Sequence, residues 1–294
     1  MITLENINEG NIVEVLRQMF EYAGENCIYC GDVLLYQSFR YDNECGQEKK
    51  NKYLAALDSI YFEKMNYSPH LYALLMTSIH PLVYSTKREA RGVIFLGESG
   101  SGKTRSYLDS LEFVMTCFSP KGIPCRSSEE DYYEQGIEKL VMDSNSVINY
   151  LVSARTGKNN SSTRAGKLFK FFIEKDRVKG FHLKMPFLEK NRVVAHNTGE
   201  TTFHIFRMLA EGMIAEEKIR YQIEPSGDYL LLKKSMEVES TYKYAQQFDM
   251  FRKGLDSVGF SSREQDAIWR MLSLMLNIFN VQILKGADEC KRKV

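Results

Sequence analysis

Residues 97–104 read Gly-Glu-Ser-Gly-Ser-Gly-Lys-Thr and follow directly on the apolar run Val93-Ile94-Phe95-Leu96. A glycine, four residues, then Gly-Lys-Thr is the spacing of a phosphate-binding loop. Gly97, Gly100 and Gly102 let the backbone curl until its N–H groups face inward. A helix starting near Lys103 adds the positive end of its dipole. In such a loop Lys103 reaches the β and γ phosphates and the Thr104 hydroxyl ligates Mg2+. A second stretch, Asn159-Asn160-Ser161-Ser162-Thr163-Arg164-Ala165-Gly166-Lys167, offers hydroxyls that can ligate Mg2+ and touch a γ phosphate. Nucleoside-triphosphate switches need a loop of this kind, ordered by the triphosphate and relaxed after hydrolysis. Taken alone, the same stretch describes a solvated polar loop.

The surrounding pattern supplies elements to position both stretches. Residues 8–22 have helical periodicity, Ile28 to Tyr36 reads as a strand, and residues 41–56 are a lysine-rich surface loop leading into a helix. Pro69 opens a helix with Leu71, Leu74, Leu75, Ile79 and Leu82 on its apolar side. Residues 92–96 form a buried strand, the phosphate loop follows, and a helix covers 103–117. Residues 118–130 break the pattern, and a long helix covers 131–153. Lys167 to Ile173 and Phe181 to Phe187 read as strands, and Gly199 opens a helix to about Leu209. A last helix runs from Ser262 to Phe279, with Ser262 as the cap and Gln265 three positions on. Strands mixed with helices around a phosphate loop predict an α/β fold with a largely parallel central sheet.

Composition narrows the class. In 294 residues, 44% hydrophobic and 26% charged, there is room for one large or two ordinary domains. A net charge of +1 provides no strongly basic face for nucleic acid. The six cysteines are scattered, and free thiols are expected. Cys27-Ile28-Tyr29-Cys30 has metal or redox spacing, but no second Cys/His pair follows at finger distance, so a strand is the expectation. The most apolar stretch, Ala267 to Leu284, contains Arg270, Asn277 and Asn280. It therefore reads as a core helix, not a membrane span.

Together the two loops resemble the myosin motor domain. The family's GESGAGKT stands here as GESGSGKT, with Ser101 for alanine. Its first switch, NxNSSRFGK, aligns ungapped with Asn159 to Lys167. Ser68-Pro69-His70-Leu71-Tyr72-Ala73-Leu74 is similar to the family's PPHIYALA. Leu188-Glu189-Lys190-Asn191-Arg192-Val193-Val194 is similar to LEKSRVV, and Asn197-x-Gly199-Glu200 with His204-Ile205-Phe206 to NPGERNYHIF. Asn8-Glu9 and Tyr29-x-Gly31-Asp32-Val33-Leu34 resemble the opening of the motor core. The resemblance is collinear over nearly the whole chain. It implies a P-loop NTPase of the myosin/kinesin type with a mixed, mostly parallel central sheet flanked by helices. Residues 1–294 would be part of a motor domain: 1–154 the N-terminal part with the phosphate loop, 155–294 an upper part with the first switch.

The resemblance also implies roles. Gly97, Glu98, Ser99, Gly100, Ser101, Gly102, Lys103 and Thr104 would cradle ATP. Thr104 and Thr163 would ligate Mg2+, Ser162 would contact the γ phosphate and the attacking water, and Asn159 would contact a phosphate farther back. Arg164 would close the site by pairing with a glutamate of the second switch. The implied partner is the actin filament and the implied place is the cytoplasm, on the cytoskeleton. A GTPase would show N-K-x-D, which this sequence lacks.

Several positions depart from the family. Ser161 replaces asparagine, Ala165 replaces phenylalanine, and Arg105 stands where glutamate is usual. Gln37-Ser38 falls where the purine-contacting NPxxxxxxY segment should start. The second switch, DxxGFE, has one near match, Asp256-Ser257-Val258-Gly259-Phe260-Ser261. The residues after it fit the family's LGFSxEE…ILHLGNV helix, which precedes that switch, so the match reads as a decoy. The true second switch, the lower half of the actin cleft, the relay helix, the converter and the lever arm are expected to have no counterpart within residues 1–294. Residues 1–294 are thus expected to bind Mg·ATP and to hydrolyse it slowly. The alternative is a divergent, non-motor myosin-like nucleotide-binding or scaffold protein.

Overall fold

The structure, a computed structural model, describes residues 8–18, 21, 27–36, 46–56, 62–63, 66–84, 89–118, 129–174, 177–236 and 243–281. Residues 41–45, Gln37-Ser38, the break at 119–128, and Cys45, Cys125 and Cys290 lie outside them. The chain divides into two compact units, one of residues 1–123 with 173–178, the other of 124–172 with 179–294.

The first unit contains α1 (Glu9–Gln18), a hairpin of β1 (Cys27–Cys30) and β2 (Val33–Tyr36), then α2 (Gly46–Ala56), α3 (Leu71–Tyr84) and α4 (Lys103–Cys117). The single strand expected over 28–36 is two antiparallel strands, because Gly31 takes φ +60 and reverses the chain. Cys27 and Cys30 sit at the two ends of β1, and the described cysteines are thiols outside any disulfide. The core gathers Tyr53 from α2, Ala73, Leu75, Met76 and Ile79 from α3, and Phe113 and Cys117 from α4. Tyr72 stacks on Phe113 with ring centroids 4.4 Å apart. The buried Lys50 ammonium meets Glu112 at 2.6 Å, so α2 and α4 are also tied by charge.

Residues 92–96 differ from expectation. They pair with no strand among the described residues. Val93 packs against the core, whereas Ile94 is 81% exposed and Leu96 85%. An apolar run shows that a segment needs cover. A parallel strand draws its cover from distant sequence, which the run itself does not name.

The second unit opens with α5 (Glu129–Val152), followed by β3 (Ser153–Thr156) and β4 (Asn159–Thr163). β5 (Ala165–Glu174) and β6 (Arg177–Leu188) pair with each other; their two-residue link permits only an antiparallel arrangement. A 3-10 turn at Lys190–Val193 leads to α6 (His204–Gly212), α7 (Ala215–Tyr221), α8 (Leu230–Met236), α9 (Tyr244–Val258) and α10 (Ser262–Phe279). The described residues thus form three two-stranded sheets.

The centre of this unit is α6 packed on α9, with Phe248 and Phe251 set against Trp269 at ring distances of 5.3 and 5.8 Å. Gly212 makes the crossing possible. A Cβ there would lie 2.4 Å from the Phe248 Cβ.

Two other expectations shift. The helix expected to open at Gly199 starts at His204, because Gly199 takes φ +81 in the preceding turn. The α10 cap is Ser261, one residue earlier than expected. Its N–H donates to Glu264 Oε2 at 2.8 Å, and its Oγ accepts from the Glu264 N–H. Both Ser261/Glu264 and Ser262/Gln265 satisfy the capping pattern. The pair carrying a negative charge suits the helix N-terminus better. Gln265 turns instead to Asp256 Oδ1 at 2.7 Å.

Gly212→Ala should destabilise the protein by about 1–3 kcal/mol through overpacking of Phe248. Chemical denaturation checks this.

Candidate functional site

In the first unit the loop of 97–104 is built by backbone conformation. Gly97, Gly100 and Gly102 have φ of +150, +85 and +85, values a side chain would strain. A Cβ at Gly97 would also meet Ser101 Oγ at 2.6 Å. The Ser101 N–H closes the turn on the Glu98 carbonyl at 3.2 Å. α4 starts immediately after Gly102, which places no side chain over the helix end. Arg105 and Ser106 donate to the Gly102 carbonyl, each at 3.0 Å, so the N–H groups of Lys103 and Thr104 come before the first intrahelical donor. The Lys103 ammonium folds back over the loop, donating to the Glu98 carbonyl and, at 3.4 Å, to Ser101 Oγ. Thr104 is exposed on the first turn of α4. An ammonium, a hydroxyl, a glycine cradle that a Cβ would fill and an uncapped helix start form a donor set that fits a phosphate with its cation. Arg105 points along the helix to Asp109 at 3.0 Å.

The expected first-switch residues lie in the second unit, on a strand instead of a loop. β4 pairs antiparallel with β3, Thr163 opposite Ser153 and Ser162 opposite Ala154, with an irregularity before Thr156 opposite Asn159. Polar composition hid the strand, because both β3 and β4 are short and poor in branched apolar residues. Ser162 is only 7% exposed. Asn159 Oδ1 accepts the Ser161 N–H at 3.0 Å, an Asx turn that starts the strand. The Thr163 hydroxyl donates to Asn149 Oδ1 at 3.4 Å, and Lys167 Nζ donates to Asn145 and Asn149.

Arg164 is held by Glu189, whose Oε2 accepts from its Nε at 2.5 Å. The two residues also exchange backbone contact, the Glu189 N–H donating to the Arg164 carbonyl at 3.0 Å. Glu189 is shared with Arg192, at 3.0 Å, and Arg192 reaches Glu200 at 2.9 Å. Burial pushes the Glu189 carboxyl up, but the hydrogen bonds from Arg164 and Arg192 outweigh it and hold the group below the usual carboxylate range. Glu200 in turn accepts the Gly157 N–H at the hairpin tip, and Thr201 Oγ1 accepts the Arg155 N–H at 3.0 Å. His204 Nε2–H donates to the Asn160 carbonyl at 3.0 Å. Sequence reasoning singled out neither Asn145 nor Asn149, and gave Glu189, Arg192, Glu200 and His204 no role. The i, i+4 spacing of the two asparagines on one helix face was the available signal.

The near match for a second switch, Asp256 to Ser261, is the junction of two helices. Asp256–Val258 ends α9, Gly259 caps it at φ +94, and Ser261 caps α10.

The chain matches the family model of the myosin head (motor domain) over residues 1–293. It is similar to unconventional myosin-IXb of Rattus norvegicus, 26% identical over 98% of this chain and 14% of that protein. It is also similar to two Dictyostelium discoideum proteins. The match to myosin IE heavy chain is 30% identical over 77% of this chain and 22% of the relative. The match to myosin IC heavy chain is 24% identical over 98% of this chain and 24% of the relative. The chain therefore spans about a quarter or less of the length of these relatives.

Burial pushes the His204 ring down to about 4, the Asn160 carbonyl opposing the fall and the Arg207 and Arg155 charges adding to it. Between that value and the ordinary 6.5, the unfolded chain binds the extra proton. Stability should therefore fall as pH drops from 6.5 to 4, by on the order of 3 kcal/mol from this residue. Urea unfolding at pH 6.5 and pH 4.5 checks this. In His204→Gln the difference between the two should shrink by most of that amount.

Proposed function

Since the chain belongs to the myosin motor-domain family, an actin-based motor family, we propose that residues 1–294 are the ATP-binding portion of such a motor. The observation that carries this reading is the loop of 97–104, a glycine-built cradle at an uncapped helix start, in a chain matched collinearly by the family from end to end. Lys103 and the loop N–H groups hold the β and γ phosphates, and Thr104 and Thr163 hold Mg2+. Ser162 positions the attacking water at the γ phosphate, and Asn159 holds a phosphate farther back. Bound Mg2+ supplies charge neutralisation between the phosphate oxygens. The protein's own contribution is donors fixed in advance, which need no reorganisation when charge develops.

The fold that accompanies this reading is a mixed, mostly parallel central sheet flanked by helices, with Val93–Leu96 as one of its strands. The exposure of Ile94 and Leu96 supports it, since both side chains are apolar and uncovered in this structure. The actin filament is the proposed partner of the whole protein, at the cytoskeleton in the cytoplasm. Among the described residues no helix is long and apolar enough to cross a membrane.

Hydrolysis by residues 1–294 alone is proposed to be slow. Their one Asp-x-x-Gly-Phe run is built into the α9–α10 junction, and its sixth residue, Ser261, caps a helix and offers Arg164 no carboxylate. Missing a preorganised donor typically costs about a hundredfold or more in rate.

Equilibrium binding of Mg·ATP tests the reading. Lys103→Ala should weaken binding by about 10–100-fold, the loss of one charge-assisted contact worth roughly 1.5–3 kcal/mol. Equal affinity in the variant and the parent would overturn the nucleotide assignment, and actin-activated turnover by residues 1–294 would overturn the claim of slow hydrolysis.

A further inference from the structure

α5 places Asn145 and Asn149 one helical turn apart, and both side chains meet the strand segment that carries Thr163 and Lys167. Lys167 Nζ lies 2.6 Å from Asn145 Oδ1 and 2.8 Å from Asn149 Oδ1. An ammonium only donates, so both amides must turn their oxygens toward it. Asn145 is fully buried, which fixes the far end of this seat. Asn149 Oδ1 also accepts from the Thr163 hydroxyl, at 3.4 Å.

The direction of that last bond bears on metal chemistry. A hydroxyl has one proton and two lone pairs. When the proton is committed to an acceptor on one side, the lone pairs face the other way, as a ligand of a hard cation requires. Groups behind a ligand set its orientation and commonly matter about 10–100-fold in metal affinity. We propose that Asn149 is a positioning residue for the Thr163 hydroxyl. It takes the hydroxyl proton and so leaves the oxygen's lone pairs for the Mg2+ of bound nucleotide, while Lys167, seated between Asn145 and Asn149, keeps the Asn149 amide from turning over. The proposal rests on the reading of Thr163 as a metal ligand. Burial pushes the Lys167 amine down to about 8, so it remains mostly protonated, and a donor only, at neutral pH.

The test is the affinity of the chain for ATP as a function of free Mg2+, with EDTA as the metal-free limit. Thr163→Ala and Asn149→Leu should each raise the Mg2+ concentration needed for half of the full affinity gain by about tenfold or more. Affinity in EDTA should stay within about twofold, and Asn149→Asp, which keeps an acceptor oxygen, should stay within about threefold of the parent throughout. A shift in Thr163→Ala with none in Asn149→Leu overturns the role of Asn149 and leaves the metal reading standing. No shift in Thr163→Ala overturns both. An equal loss of affinity with and without Mg2+ in Asn149→Leu marks a merely structural residue and overturns the proposal. If Asn149→Leu does not fold, Asn149→Asp decides: a tenfold rise in its Mg2+ requirement overturns the proposal, and parental behaviour supports it.

Discussion

Arg192 is a guanidinium with only 4% of its side chain exposed, and a charge so buried must be matched on every side. Its neighbours are the carboxylates of Glu189 and Glu200 and the carbonyls of Thr201 and Arg155. Meeting that demand draws together three parts of the second unit that are distant in sequence. Glu189, at the end of β6, brings Arg164 with it. Glu200, in the turn before α6, brings the Gly157 N–H and hence the tip of the β3–β4 hairpin. The carbonyl of Arg155 brings β3 itself. Removing one partner would leave a buried charge uncompensated, which is far costlier than losing an exposed ion pair. The strand bearing Ser162 and Thr163 is therefore held in place from its tip, its end and its flank.

This network also alters the expectation for Arg164. The family resemblance assigned it a glutamate from a later segment, and within this unit it is engaged by Glu189. The two statements are compatible in chemistry, because a guanidinium has five donors and Glu189 accepts from Nε alone. The planar fork retains its terminal nitrogens for a second carboxylate.

Much of this was legible in the sequence. The glycine spacing of 97–104 specified both a curled backbone and a helix start, since each glycine answers a conformational need that no other residue meets cheaply. The long periodic helices α3, α4, α5 and α10 were legible for the same kind of reason, because burial of one face writes a period of 3.6 into the chain. β3 and β4 were not, because their side chains are polar and their strand state is held by hydrogen bonds to groups elsewhere. α9 was harder to read, although Tyr244, Phe248, Phe251 and Leu255 recur at helical spacing. Its many charged neighbours masked the stripe. The segment 92–96 showed the opposite limit, where an apolar run was plain and its partners were not.

The strand setting of Asn159 to Thr163 has a consequence for insertions. Successive residues of a strand face opposite sides, so Ser162 and Thr163 cannot exchange duties by a small adjustment. One residue inserted within β4 would turn the buried hydroxyl outward and aim its neighbour inward, in effect a frameshift of faces. One residue inserted at Gly157-Lys158 would only lengthen the turn. Length variation among related chains should therefore collect at the hairpin tip and stop abruptly at Asn159.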